Sequence, residues 1–385
     1  MFFDFIIAGA GIAGASLAYE LSAHGSVCLL EAEASPGIHT TGRSAALFAP
    51  SYGGGAIRAI TRASRSFFDS PPEAFAAAPL LTARGCLYPA REDQRDALDA
   101  MSEGIRRSGG AVEEISAARA REMVPLFRDD YLNAAILDPE AMDIDVDALL
   151  QGFLRGAKQR GAILRAQSPL VRAEWAGDIW KVLVPGGIIE APVLVNAAGA
   201  WADDVARACG TDPLGLRPLR RTALLVDPPM DIARWPAVID VDEKFYFKPE
   251  AGKLLLSPAD ETPDYAGDVQ AEEIDIAIGV ARVQRAIDLP VRRVSHSWAG
   301  LRTFAPDRQP VVGFDSGVPG FFWCAGQGGY GIQTAPAMAR LAAALVRHVD
   351  LPDDLLAERV DPNTISPERF NAAPGMPHAI AVDIS

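Results

Sequence analysis

The stretch that most constrains this chain is its first strand and turn, Phe2-Phe3-Asp4-Phe5-Ile6-Ile7-Ala8-Gly9-Ala10-Gly11-Ile12-Ala13-Gly14. An apolar run of strand length breaks into Gly-x-Gly-x-x-Gly, and Ala15-Ser16-Leu17-Ala18-Tyr19-Glu20-Leu21 continues as a helix. Gly9 permits the tight turn, Gly11 lets the backbone approach a pyrophosphate, and Gly14 lets the helix lie close on the strand. The pyrophosphate would rest on free N–H groups at the helix N-terminus, where the macrodipole favours negative charge. A second strand, Val27-Cys28-Leu29-Leu30, ends in Glu31. That carboxylate falls about 20 residues past the middle glycine, where a ribose hydroxyl needs an acceptor. Glycines alone are a weak signal, but strand, glycines, helix, strand and terminal acid within about 30 residues specify a dinucleotide site.

Composition narrows the partners. The 385 residues suffice for two or three domains with a large core. Lys+Arg at 36 against Asp+Glu at 50 gives a net charge of −14, which repels nucleic acid and anionic lipid. Cys28, Cys86, Cys209 and Cys324 sit at irregular spacings, indicating neither a disulfide framework nor a zinc site. The N-terminus is apolar, yet it lacks a basic leader and contains Asp4. No run reaches the ~18 apolar residues of a membrane span, so no transmembrane segment and a cytoplasmic location are expected.

Residues 34–50 read as a loop of small and hydroxyl residues, either a plain surface loop or a segment against a flat cofactor with Arg43 near its phosphates. A helix of about 15 residues follows around 57–68, and residues 79–140 mix short strands with helices. Asp143-Ile144-Asp145-Val146-Asp147 opens another helix, its acids at the N-terminal end. Residues 161–191 read as a small antiparallel meander turning at Pro185-Gly186-Gly187. Val193-Leu194-Val195-Asn196 is apolar throughout, as a parallel strand buried on both faces requires. Residues 214–295 suggest a separate sheet with one helix, 271–289. Near the end, Gly320-Phe321-Phe322-Trp323-Cys324-Ala325 breaks at Gly326-Gln327-Gly328-Gly329-Tyr330-Gly331-Ile332-Gln333 into a helix. This second glycine turn between strand and helix is another anion or cofactor surface.

Five features occur in order: the fingerprint with Glu31, the loop 40–46, Asn196-Ala197-Ala198-Gly199-Ala200-Trp201, Trp298-Ala299-Gly300-Leu301-Arg302, and the glycines of 326–333. Together they resemble the D-amino-acid oxidase/glycine oxidase family of FAD-dependent oxidoreductases, and within it bacterial D-arginine dehydrogenases, essentially end to end. The resemblance implies an α/β fold with α+β elements: a Rossmann-like FAD-binding domain of three-layer ββα architecture, plus a substrate domain with an antiparallel sheet. It places the discontinuous FAD domain at 1–77, 140–214 and 296–385, and the substrate domain at 78–139 and 215–295. It implies non-covalent FAD.

Residue by residue, the likeness assigns Gly9, Gly11, Ile12, Ala13, Gly14, Glu31 and Ala32 to the ADP half of FAD. Thr41, Gly42, Arg43, Ser44, Ala45 and Ala46 lie along the flavin side, and Leu170 meets the adenine through its backbone. Ala198, Gly199, Trp201 and Gly300 line the cofactor channel. Gly328, Gly329, Tyr330, Gly331, Ile332 and Gln333 stand at the flavin pyrimidine end, where negative charge develops on reduction. Arg302 and Arg221 match positions near the substrate carboxylate, and Tyr52 and Tyr246 match hydroxyls that complete the clamp. Chemistry supports this independently, because a guanidinium binds a planar carboxylate bidentately. Fixing the carboxylate leaves Cα–H one approach to flavin N5 for hydride transfer. Arg220, beside Arg221, could exchange roles with it.

The substrate pocket is assigned to Leu47, Ala49, Cys86 and Gly329. Aligned with the D-arginine enzymes, Cys86 replaces an acid that faces the substrate guanidinium, and Leu47 and Ala49 replace a polar pair. A cationic side chain would then be desolvated without a partner. The expected reaction is therefore oxidation of a D-amino acid with a neutral or apolar side chain to the imino acid, which hydrolyses to 2-oxo acid and ammonia. Alternatives are a 2-hydroxy-acid or N-substituted-glycine dehydrogenase on the same fold. A nicotinamide enzyme or binding module is disfavoured, because it leaves the late glycine turn unexplained. The electron acceptor (oxygen, quinone or protein) is left open.

Overall fold

The computed structural model describes residues 1–370. Its first sheet is the one the fingerprint anticipates. Six strands lie in the order Val311–Phe314, Phe321–Ala325, Val193–Asn196, Phe5–Ala8, Val27–Leu30, Ile163–Arg165. All neighbours are parallel except the Val311–Phe314 edge. Strand alternation then sorts the side chains between two cores. Ile7, Leu29, Val195 and Phe322 face the helices Ile12–Leu21, Val146–Gln159 and Gly331–Val346. Ile6, Cys28, Leu194 and Phe321 face the three-stranded meander Arg172–Trp175, Trp180–Val184, Gly187–Ala191. Two sheets and a helical layer make the expected ββα arrangement. One boundary moves: Ile163–Arg165 pairs with Val27–Leu30 in the parallel sheet and is no part of the meander.

The second sheet has nine strands and gathers distant parts of the chain. Its middle is Arg217–Val226, Lys253–Ser257, Tyr246–Glu250 and Ala237–Ile239, continued by Cys86–Ala90, Ala134–Asp138 and Glu113–Ser116. The sheet is thus neither confined to 214–295 nor wholly antiparallel, because Ala237–Ile239 joins Cys86–Ala90 in parallel. That junction is where two separate chain segments meet, so no hairpin dictates its direction. The strand Val294–Phe304 lies antiparallel along the whole of Arg217–Val226. Leu224, Phe247, Leu254 and Leu256 bury one face of the sheet against Val283 and Ala286 of the helix Glu273–Ala286. The opposite face looks toward the first sheet's glycine turns. Among the described residues, no helix is long and apolar enough to cross a membrane.

Glycine geometry at the first turn is strict. Gly9 has φ +102°, and a Cβ there would stand 2.4 Å from the Ala197 carbonyl oxygen. A Cβ on Gly14 would stand 1.8 Å from the Gly9 carbonyl oxygen, a backbone atom that cannot rotate away. Gly14→Ala is therefore expected to destabilise the fold by about 3 kcal/mol or more, the upper range of overpacking. At Gly55, the first residue of the helix Gly55–Asp69, an added Cβ would meet nothing within 4 Å, so Gly55→Ala serves as a neutral control. Chemical denaturation of both variants checks this, and equal midpoints would contradict it.

Candidate active site

The carboxyl ends of the parallel strands open onto a cleft of about 550 Å³. Open α/β sheets bind ligands at such ends. Gly9, Gly11, Ile12 and Ala13 line it at the first turn, Glu31 and Ala32 beyond the second strand, and Leu170 beside them. Thr41, Arg43, Ser44 and Ala45 line it as well, as do Ala198, Gly199, Trp201 and Gly300, the last lying directly against Arg43. Gly328, Gly329, Gly331 and Ile332 close the far end at the N-terminus of Gly331–Val346. Asn196, fully buried, shapes the turn between them: its Oδ1 accepts from Ala198 N at 3.3 Å, and its Nδ2 donates to Ala202 O at 2.7 Å. Glu31 braces the first turn as well as lining the cleft, accepting from Ala10 N at 3.2 Å and Glu33 N at 3.0 Å.

The cleft fits an extended dinucleotide. Helix N-termini stand at both ends, where anionic groups are stabilised. Gly11 keeps the floor open, since a Cβ there would come 3.2 Å from Thr41 Oγ1, which accepts from Ile12 N at 3.0 Å. His39, which also lines the cleft, has a buried Nδ1 without a hydrogen-bond partner among the described residues, while its Nε2 meets Glu33 at 2.9 Å. The remaining assigned residues lie outside the cleft. Gly14 and Gly42 pack against backbone, Ala46 and Gln333 line a smaller adjoining cavity, and Tyr330 packs its ring 5.2 Å from that of Tyr52.

The clamp residues converge at the mouth of this cleft. Arg221 pairs with Gly300, and Leu219 with Arg302, so Arg221 and Arg302 are diagonal neighbours on one face of the ladder. Both, with Tyr246, line the cleft and the smaller cavity. Arg302 Nη1 lies 3.5 Å from Tyr52 Oη, and Tyr52 Oη donates toward Glu243 at 3.4 Å. Arg221 is held by Asp260 O at 2.8 Å and Glu261 at 3.2 Å. Burial lowers the Arg221 pKa, and the nearby Arg302 charge lowers it further. Burial likewise raises the Tyr52 phenol, against the opposing pull of Arg302. Two guanidinium groups sharing one buried space create a demand for an anion. Gly329 leaves room for it, because a Cβ there would sit 2.7 Å from Arg302 Cζ.

The structure settles which arginine faces the site. Strand alternation turns Arg220 to the opposite face, where it meets Asp264 and Asp275 at 3.0 Å and Glu272 at 2.6 Å. Arg43 is committed too: it bonds Val269 O at 2.9 Å and Ala299 O at 3.0 Å and pairs with Asp268. It ties the loop to the second sheet and has little left for a phosphate.

The pocket assignment needs correction. Leu47 lines the smaller cavity, of about 60 Å³, but Cys86 and Ala49 line neither cavity. Both are buried in a core cluster with Tyr88 and Ala237, and burial raises the Cys86 thiol pKa. The acid beside Cys86 is Asp138, its partner across the strands, which accepts from Ser51 Oγ at 2.5 Å. Besides Arg221 and Arg302, the cavity is lined by two charged residues that the family likeness does not assign, Glu243 and Lys248. Lys248 was detectable in principle, because it follows Tyr246 by two positions in a strand and so shares its face. Glu243 sits in a turn at φ +55°, where no periodicity points.

Two outcomes are expected. Gly11→Val should lose FAD on purification, read by the flavin-to-protein absorbance ratio; a fully loaded variant would contradict the assigned site. Arg220→Met should cost on the order of 2 kcal/mol, below the ~3–5 of a fully buried pair because Asp264 and Glu272 reach solvent. Arg221→Met should instead weaken carboxylate binding, measured by ligand perturbation of the flavin spectrum. The reverse pattern would exchange the two arginines.

Comparison with known proteins gives the family and supports the fold. The family model described as FAD dependent oxidoreductase (DAO) matches residues 4–345. Human mitochondrial dimethylglycine dehydrogenase is 25% identical over 388 residues, covering 93% of this chain and 44% of that protein. Human mitochondrial sarcosine dehydrogenase is 24% identical over 224 residues, covering 54% of this chain and 24% of that protein. The chain thus spans less than half the length of these two relatives. Glycine oxidase from Geobacillus kaustophilus superposes with a TM-score of 0.81 at 22% identity, covering 91% of this chain and 95% of that one. L-proline dehydrogenase from P. horikoshii gives 0.79 at 21% identity, covering 93% and 96%. The chain belongs to the DAO family of FAD-dependent oxidoreductases.

Proposed function

We propose that this enzyme oxidises a D-amino acid with a neutral side chain to the imino acid, which hydrolyses to 2-oxo acid and ammonia. The observation that carries this reading is the Arg221/Arg302 pair with Tyr52 and Tyr246 at the mouth of the cleft. The substrate carboxylate accepts charge-assisted hydrogen bonds from the guanidinium groups. Tyr52 becomes an additional donor when its single O–H turns from Glu243 to the substrate carboxylate. Bound FAD supplies the two-electron acceptor for the Cα hydride. Leu47, Val238, Ile239 and Phe245 wall much of the smaller cavity, where desolvating a cationic side chain is costly. The same reading divides the chain into a cofactor domain (1–77, 140–214, 296–385) and a substrate domain (78–139, 215–295), and places it near D-arginine dehydrogenases with an altered pocket.

A second reading is an N-methylated glycine as substrate. It is favoured by the likeness to dimethylglycine and sarcosine dehydrogenases, and the clamp reads only the carboxylate. Anaerobic bleaching of the flavin separates the two. Neutral D-amino acids are expected to bleach it faster than their L-enantiomers, D-Arg, D-Lys, sarcosine, dimethylglycine or 2-hydroxy acids. Faster bleaching by sarcosine or dimethylglycine would select the second reading. On the best substrate, Arg302→Ala should lower kcat/KM at least ~30-fold, the lower end for truncating one partner of a buried charge pair. A change within threefold would remove Arg302 from the clamp.

A further inference from the structure

The smaller cavity beside the clamp carries a spare hydrogen-bond donor, and this specifies more than apolarity. Gln333 is 3% exposed and lines this cavity. Its amide orientation is set by the backbone, because Oε1 accepts from Ala49 N at 3.1 Å. The other end, Nε2, is therefore the donor end, and it has no partner among the described residues. An unsatisfied buried donor is costly, and native structures seldom retain one without an occupant. Lys248, 6% exposed, lines the same cavity. Two of its three ammonium donors go to Asp143 at 2.8 Å and Glu250 at 3.0 Å.

Charge decides what kind of acceptor belongs there. The Lys248 ammonium is already balanced by two carboxylates, and Arg221 and Arg302 are taken up by the substrate α-carboxylate, so an anionic side chain would be repelled by Asp143 and Glu250 with no cation left to offset them. A cationic side chain would face an ammonium and an amide NH₂, and the acid that lines the cavity, Glu243, already accepts from Tyr52 Oη. Glu243, the remaining acid, is exposed and stands on the Tyr52 side. Size is limiting too: the cavity is about 60 Å³.

Resting on the amino-acid reading above, we propose that the substrate side chain is short, uncharged and hydrogen-bond accepting, a hydroxyl or carboxamide, with Gln333 Nε2 as its donor. A site built to hydrogen-bond a substrate group rejects the analogue lacking it more strongly than a pocket that only measures size.

The test is kcat/KM for D-Ser, D-Asn, D-Ala, D-Leu and D-Asp on the FAD-loaded wild type and Gln333→Glu, with an artificial acceptor and the flavin spectrum recorded alongside. Gln333→Glu preserves an acceptor for Ala49 N while turning the cavity-facing donor into an acceptor. The wild type is expected to favour D-Asn over the near-isosteric D-Leu by tenfold or more, and D-Ser over D-Ala likewise. The D-Asn/D-Leu ratio should fall at least tenfold in Gln333→Glu, with the flavin bands unmoved. A wild type that favours D-Leu or D-Asp overturns the proposal even if the variant fails to fold. So does a variant that shifts the flavin bands with an unchanged ratio, because Gln333 then serves the cofactor. If no amino acid reduces the flavin, the parent reading fails; bleaching by D-Ala and D-Leu without discrimination defeats only this inference.

Discussion

The structure depends on one backbone contact. Gly14 lets the first helix rest on the turn at Gly9, and Gly9 in turn abuts Ala197 at the end of the neighbouring strand. Any side chain at either position would hold these segments apart. That closeness brings the turn after Phe5–Ala8 and the turn after Val193–Asn196 together as two walls of one cleft. The rest of the first sheet, with its helices on one face and its meander on the other, keeps those turns fixed.

Electrostatics then positions the second sheet over the cleft. Residues 259–272 connect the strand Lys253–Ser257 to the helix Glu273–Ala286, and they are tethered largely by charge. Arg220 meets Asp264, Arg221 meets Glu261, Arg43 meets Asp268, and Arg308 reaches Glu261 at 2.7 Å. Arginine suits this role, because its planar fork engages several acceptors at once. Along one strand, neighbouring arginines serve opposite purposes. Arg220 secures the segment on the outer face, and Arg221 points to the site with its charge only partly offset by Glu261.

The pocket is built from residues other than Cys86 and Ala49. Cys86 is apolar and buried, as expected, yet it belongs to the packing behind the cavity with Ala49 and Tyr88. The cavity's polarity comes from Gln333, Lys248 and Glu243, contributed by a helix, a strand and a turn far apart in sequence. The pocket is therefore partly polar, independently of the residue at position 86.

The sequence by itself determined the first turn and the order of the motifs, because these rest on local rules, while the ββα layering was implied by the family likeness those motifs carry. Glycine spacing, strand alternation and helix start signals each act within about 30 residues. It also placed Arg302, Tyr246, Tyr52 and Arg221 among the candidates that meet at one site. Only the tertiary structure decided between Arg220 and Arg221, since the register of Arg217–Val226 against Val294–Phe304 sets which face each presents. It alone joined Cys86–Ala90 to Ala237–Ile239 in parallel and took Cys86 out of the pocket. Both decisions involve pairings between residues at least 68 positions apart, where no local preference of the chain selects the partner.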